Sequence, residues 1–289
     1  MPRWKTATTA ALGLAALAGF ASAQEEIGKR RAERIRIEWA SYETKSYAFQ
    51  YESVIPTGTV KQVADALEEA LGQYGKVFGF APKTKFQVKF LDSLNTYEQE
   101  GGDPSHPGYF SAATGFLVLR QLPFFDLMPT AYHEALHQYL QAYVGEDVRI
   151  PLWFNEGLAV YFEGMQKDKA SKRLDHRKID NRRMIRLKEA LFTRSALPLE
   201  KLLDATPDEF HDKDKEELHY SQSFAVVYFF MQAMGGKPVF QYASELKKTK
   251  DPKAAEEKIF GKGRKNLKKI EGTWKQYVLG LKIEEKPPS

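Results

Sequence analysis

The chain has 289 residues, 43% hydrophobic and 28% charged, with a formal net charge of +5. That length and balance fit a folded chain with a substantial buried core and exclude wholesale disorder. There is no cysteine, which excludes disulfides, a catalytic thiolate and thiolate-held metals; any metal must sit on nitrogen and oxygen ligands.

Residues 1–23 read as a cleavable export signal. Arg3 and Lys5 precede the apolar run "ATTAALGLAALAGF", and "ASA" offers a small-residue cleavage site before Gln24. The run is shorter than the roughly 20 residues of a spanning helix, and no second stretch of that length follows, so the mature protein is expected in the periplasm or the medium without stable membrane insertion. Cleavage removes two cations and no acid, taking Lys+Arg from 43 to 41 against 38 Asp+Glu, a net charge of about +3. So small an excess gives no case for a nucleic-acid partner.

A basic linker is expected over 24–44. "SYAFQYE" follows, with Tyr47, Phe49 and Tyr51 alternating as in a half-buried strand. Val60, Val63, Leu67, Leu71, Tyr74 and Phe78 then recur at helical spacing, behind Thr57 or Thr59 as a cap. "KFQVKFL" and "GFLVLRQ" read as strands, and "EQEGGDPSHPGYF" between them reads as loop. "KDKASKRLDHRKIDNRR" reads as a solvated connecting helix, with His176 on the surface. From about residue 165 the pattern is helical, interrupted at "ALPLEKLLDATPDEF" and "MGGKP". The basic run "GKGRKNLKK" leads into a helix whose apolar side carries Ile270, Trp274, Tyr277 and Val278, and so reads as a solvated face. Strands first and helices afterwards predict an α+β fold. Its expected parts are a sheet-bearing subdomain over 45–165, a helical subdomain over 166–282 and a frayed tail over 283–289.

The chemistry gathers in "PTAYHEALHQYLQAY". His133 and His137 lie one helical turn apart, so both imidazoles project from one face, the spacing at which two histidines hold one tetrahedral ion. Glu134 is rotated about 100° from His133, which sets its carboxylate beside such an ion rather than on it. A third ligand is needed. "PLWFNEGLAVYFEG" opens on Pro151 and closes on Gly164, the punctuation of a short helix, and places Glu156 in its first turn. Glu156 comes 19 positions after His137, room enough for one helix to end and a second to pack beside it. Two nitrogens and one oxygen, with a fourth position open, make the donor set of a catalytic Zn²⁺ site holding one ion. Glu163, seven residues after Glu156, shares its helix face.

With HExxH followed after 18 residues by the glutamate of "NEG", the chain resembles the gluzincin zinc metallopeptidases. "WFNEGLA" is similar to the segment around the third zinc ligand in the aminopeptidase N family. That resemblance implies a thermolysin-like zincin fold with a small mixed sheet. It assigns the zinc to His133, His137 and Glu156, the base to Glu134, and a hydrogen bond behind a zinc histidine to Glu163. It also points to Tyr220, 64 positions after Glu156 in "YSQS", as the donor to the oxyanion; His219 is the alternative, by analogy with thermolysin-like enzymes. Two departures bear on specificity. The acid that holds a substrate's free amine in the aminopeptidases has no counterpart in "GYFSAATGFLVLR", and Val160 stands where thermolysin-like chains carry an aspartate. As a whole the chain looks closer to compact secreted bacterial peptidase-like zincins of undefined function. The implied activity is hydrolysis of internal peptide bonds, in a protein or a cell-wall crosslink, with the strand "GFLVLR" as the rim for an extended peptide substrate. The alternative is a catalytically silent or specialised binding protein of the cell envelope on the same fold.

Overall fold

The computed structural model describes residues 35–283 except 169, 170, 172, 173 and 178. The expected signal (1–23), most of the linker's basic run and residues 284–289 of the tail lie outside the described residues. From Trp39 onward the chain forms a single unit. Among the described residues no helix is long and apolar enough to cross a membrane.

The fold is α+β. Five strands form a mixed sheet: β1 (Trp39–Glu43), β2 (Tyr47–Glu52), β3 (Phe86–Leu91), β4 (Gly108–Phe110) and β5 (Phe116–Arg120), in the order β1-β2-β3-β5-β4. The three central strands run parallel, and both edge strands are antiparallel to their neighbours. The crossover from β2 to β3 is α1 (Thr57–Phe78). The six apolar residues at helical spacing in α1 are all buried, against the inward side chains Tyr47, Phe49, Val88, Phe90, Leu117 and Leu119 of the sheet. Alternation along the strands and the helical period along α1 thus meet in one apolar layer.

Several local expectations need correction. Residues 39–43 are not linker but an edge strand, with Ala40 and Tyr42 partly buried and Trp39, Ser41 and Glu43 exposed. Only two small apolar contacts reward its pairing, too little for a pattern to show. Neither threonine caps α1. Pro56 precedes the helix without a side-chain cap, and the Thr57 hydroxyl pairs with that of Tyr51 at 3.1 Å. The loop before β5 ends in β4, and α2 (Leu94–Gln99) lies just upstream of it. β5 is therefore interior, and the rim strand is β4. The stretch after residue 165 begins not with a helix but with a two-stranded hairpin, β6 (Gln166–Lys167) and β7 (Leu174–Asp175).

Two helices carry the histidines and the glutamates. In α3 (Phe124–Val144) one face buries Leu127, Ala131, Ala135, Leu136, Tyr139 and Leu140. Its position is pinned by polar bonds as well: the Tyr74 hydroxyl donates to the Tyr132 carbonyl at 2.8 Å, and the Gln138 amide donates to the Gln87 and Gly115 carbonyls at 3.0 and 2.8 Å. In α4 (Leu152–Glu163) nine of twelve residues are buried, the composition of a helix wrapped by neighbours on all sides. Those neighbours are α3 and, in the helical half, α6 (Leu199–Leu203) and α8 (Glu216–Gln232), while α5 (Asn181–Phe192) and α7 (Pro207–Phe210) lie against α8. A Cβ on Gly157 would lie 2.6 Å from the Ser223 carbonyl oxygen, so α4 and α8 touch main chain to main chain there. Helices α9 (Lys237–Thr249), α10 (Pro252–Phe260) and α11 (Leu267–Gly280) close the fold. Trp274 and Val278 of α11 are fully buried, Ile270 and Tyr277 partly so. A continuous apolar cluster runs from Tyr47 to Val278, so the segments 45–165 and 166–282 share one core.

Candidate metal centre and cleft

His133 and His137 face the same side of α3, with ring centroids 4.8 Å apart. Glu156, from the first turn of α4, meets them: its Oε2 lies 3.3 Å from His133 Nε2 and 3.6 Å from His137 Nε2. The opposite nitrogens are taken. His133 Nδ1 is 3.1 Å from Glu163 Oε2, and His137 Nδ1 is 3.0 Å from Asn155 Oδ1. Since both partners are acceptors, each Nδ1 carries a proton, and each Nε2 is turned to the Glu156 carboxylate, where it can offer a lone pair to an ion once its own proton is off. One ligand atom from each of the three residues lies within 4.8 Å of the others, so the group could hold a metal ion. Two imidazole nitrogens and a carboxylate oxygen, with acceptors behind both imidazoles, are donors suited to a divalent transition-metal ion.

The electrostatics agree with a cation-seeking site. Burial works against a charged His133, yet hydrogen bonds to Glu156 and Glu163 and the charge of Glu134 overcome it and hold its pKa at about 10. Burial likewise opposes ionisation of Glu156, and the imidazoles of His137 and His133 reverse this, drawing it down to about 2. Glu163 is lowered as well: against burial stand the His133 bond and the charges of Arg183 and Arg182. Left to itself the cluster takes up a proton to balance its carboxylates, and a divalent ion would supply the same positive charge.

Beside this group is a cleft of about 330 Å³ whose walls include His133, Glu134, Glu163 and Tyr220. Glu134 Oε2 accepts the backbone N–H of Phe110 on β4 at 2.9 Å, which ties the carboxylate to the rim strand. Tyr220 is in the second turn of α8; burial, together with the charges of Glu156, Glu216 and Glu134, pushes its ionisation well above the usual phenol range. The structure therefore brings His133, Glu134, His137, Glu156, Glu163 and Tyr220 together.

It does not bring His219. That ring is 2% exposed, stands beside Phe210 and donates from Nδ1 to the Phe210 carbonyl at 2.8 Å. One residue along α8 is a 100° turn, enough to send one side chain to the cleft and its neighbour to the core. Of the remaining histidines, His106 is exposed but on the cleft rim. His211 is exposed and pairs with Glu216 at 2.8 Å. His176 is half-buried rather than fully at the surface: its ring is tilted against those of Tyr161 and Phe162, and burial lowers its pKa.

A model of a family described as protein of unknown function (DUF1570) matches residues 127–252. That span runs from the first turns of α3 to the start of α10 and contains every residue of the centre. No curated protein matches the chain. Sequence reasoning missed two residues of the site. Asn155, the acceptor behind His137, stood in plain sight in "NEG", where the only signal was its place beside the third ligand. Arg183, on the cleft wall, was hidden in a basic stretch.

Proposed function

We propose that the chain is an exported zinc-dependent metallopeptidase on a zincin fold that cleaves internal peptide bonds. The observation that carries this reading is the convergence of His133 Nε2, His137 Nε2 and Glu156 beside a further carboxylate, Glu134, that belongs to the cleft and not to the ligand group. A merely structural metal site has no need of that carboxylate. Bound zinc supplies a Lewis acid that polarises the scissile carbonyl and lowers the pKa of water toward neutrality.

The chain's own groups do the rest. Glu134 takes the proton of the attacking water and hands it to the leaving amine; the Phe110 N–H holds one of its oxygens and leaves the other to move the proton. Tyr220, kept protonated by its surroundings, donates to the oxygen on which negative charge develops. Cleavage within a chain is supported by the sequence upstream of the centre. The stretch "GYFSAATGFLVLR" ahead of α3 carries no acid to anchor a free amine.

The test is metal analysis and peptide-library cleavage of the mature chain beside two variants. Glu134→Gln should retain zinc and lose turnover by about 10²–10⁴-fold. Glu156→Ala should lose both zinc and turnover. A zinc-loaded parent that cleaves nothing in a diverse library over long incubation would favour the envelope-binding alternative, and full activity in both variants would overturn the assignment.

A further inference from the structure

Arg183 occupies a position that neither the ligand set nor the proposed chemistry accounts for. It lies in the first turn of α5, whose N-cap Asp180 accepts the Arg183 backbone N–H at 3.0 Å and has its other oxygen 3.2 Å from Arg183 Nε. The side chain then reaches into the cleft wall and is only 15% exposed. One end of its guanidinium, Nη2, is 3.7 Å from Glu163 Oε1, while Glu163's other oxygen receives His133 Nδ1 at 3.1 Å. Its Cζ lies over the Tyr220 ring, 5.9 Å from the centroid. One half-buried cation therefore stands beside both the carboxylate behind a ligand histidine and the ring of the proposed oxyanion donor.

We propose that Arg183 is a positioning residue that sets Glu163 behind His133 and Tyr220 over the cleft in a single arrangement. The proposal rests on the metallopeptidase reading only for its turnover half; its metal half stands on the three-residue centre alone. The physical reason for arginine is its shape. A rigid planar fork can meet a carboxylate with one edge and an aromatic ring with its face, whereas an ammonium can serve the carboxylate but offers no plane to the ring. A carboxylate held between a guanidinium and an imidazole has one orientation, and the orientation of the group behind a ligand controls how well that ligand binds. The competing account is that Arg183 merely completes the cap of α5 with Asp180. That account predicts a loss of stability in its variants and no effect on the metal.

The experiment compares the full mature parent with Arg183→Met, Arg183→Lys, Glu163→Gln and the Arg183→Met/Glu163→Gln pair. Arg186→Met, on the same helix, is the control. Thermal unfolding establishes that each is folded. Zinc affinity is read by competition with a chromogenic chelator, and the centre's geometry by the visible spectrum of the cobalt-substituted form. Arg183→Met should weaken zinc on the order of tenfold and shift the cobalt bands, the size typical of losing a group behind a ligand. Arg183→Lys should recover most of the zinc affinity. In the Glu163→Gln background, Arg183→Met should cost less than about threefold more, because the route to the metal has already been removed. On any peptide the parent cleaves, Arg183→Lys should still show reduced kcat with little change in KM, because Tyr220 has lost the guanidinium over its ring.

Arg183→Met with zinc affinity within twofold of the parent and an unchanged cobalt spectrum would overturn the metal half; so would a full tenfold loss persisting in the Glu163→Gln background. Equal restoration of affinity and kcat by lysine would overturn the Tyr220 half. A parent that binds zinc but cleaves nothing defeats the peptidase reading and the Tyr220 half with it, while the affinity series still decides the metal half. A parent that binds no divalent ion defeats both.

Discussion

Among the described residues two partly buried clusters of charge are built on opposite principles. Around Arg264 the network is closed. The guanidinium makes a two-pronged bond to Asp204 at 2.8 and 2.7 Å and bonds Glu256 at 2.9 and 2.6 Å, so one permanent cation serves two carboxylates. Burial raises Glu256, which is 4% exposed, against the pull of Arg264. Around His133 the network is open. Three glutamates act on one imidazole, a second imidazole turns its lone pair to the same carboxylate, and balance requires a cation from outside. A structural cluster brings its own counterion, whereas a site that binds an ion leaves that place to it. A count of buried charges would rank the two alike.

The contrast can be broken most forcibly at Arg264. Replacing it with Met strands Glu256 and should cost about 3 kcal/mol in urea unfolding, because an unpaired buried carboxylate remains. Zinc affinity should be unchanged. A variant that lost zinc instead would show that the clusters are coupled and that the distinction fails.

The pH response of the metal-free chain should separate them next. His133 titrates at about 10 in the folded state against 6.5 unfolded. Its contribution to stability is therefore complete below pH 6.5 and lost as pH climbs through 10. Glu156 goes the other way, at about 2 folded against 4.5 unfolded, so its contribution is complete above pH 4.5 and lost as pH falls through 2. With chelator present, Tm should be highest between pH 4.5 and 6.5 and decline above it. His133→Gln should flatten that decline, and Arg264→Met should preserve it. Identical slopes in the parent and His133→Gln would contradict the proton-for-metal account.

The smallest effect is expected behind the second histidine. Asn155→Ala removes the acceptor from His137 Nδ1 and should weaken zinc about tenfold, with the unfolding free energy nearly unchanged. An unaltered dissociation constant would show that the acceptor behind His137 does not matter to the metal.

What could be read from the sequence was whatever a single element decides. His133 and His137 share a face because four residues make about one helix turn, and Glu156 and Glu163 share one because seven make about two. The six buried positions of α1 followed from the same period. What could not be read depended on a second element. Asn155 becomes an acceptor only because α4 lies against α3, and Tyr220 and His219 are sorted only by the rotation of α8 about its axis. Arg183 looked like one more cation in a basic stretch until α5 was set beside Glu163. The two edge strands were missed for another reason: β4 has three residues emerging from a Gly- and Pro-rich loop, and β1 buries only Ala40 and Tyr42 in part. Strands that short are made by their neighbours.

Gly157 also sets a spacing at the centre. With the Ser223 carbonyl where its side chain would be, the gap between the helix bearing Glu156 and the helix bearing Tyr220 is gauged by main chain, with a tolerance finer than one methyl group. Repacking of side chains cannot widen it. A designer seeking to change what the cleft accepts would leave this gauge alone and work at the rim, on residues 106–108 and 216–217, where the walls can be recut without respacing the centre.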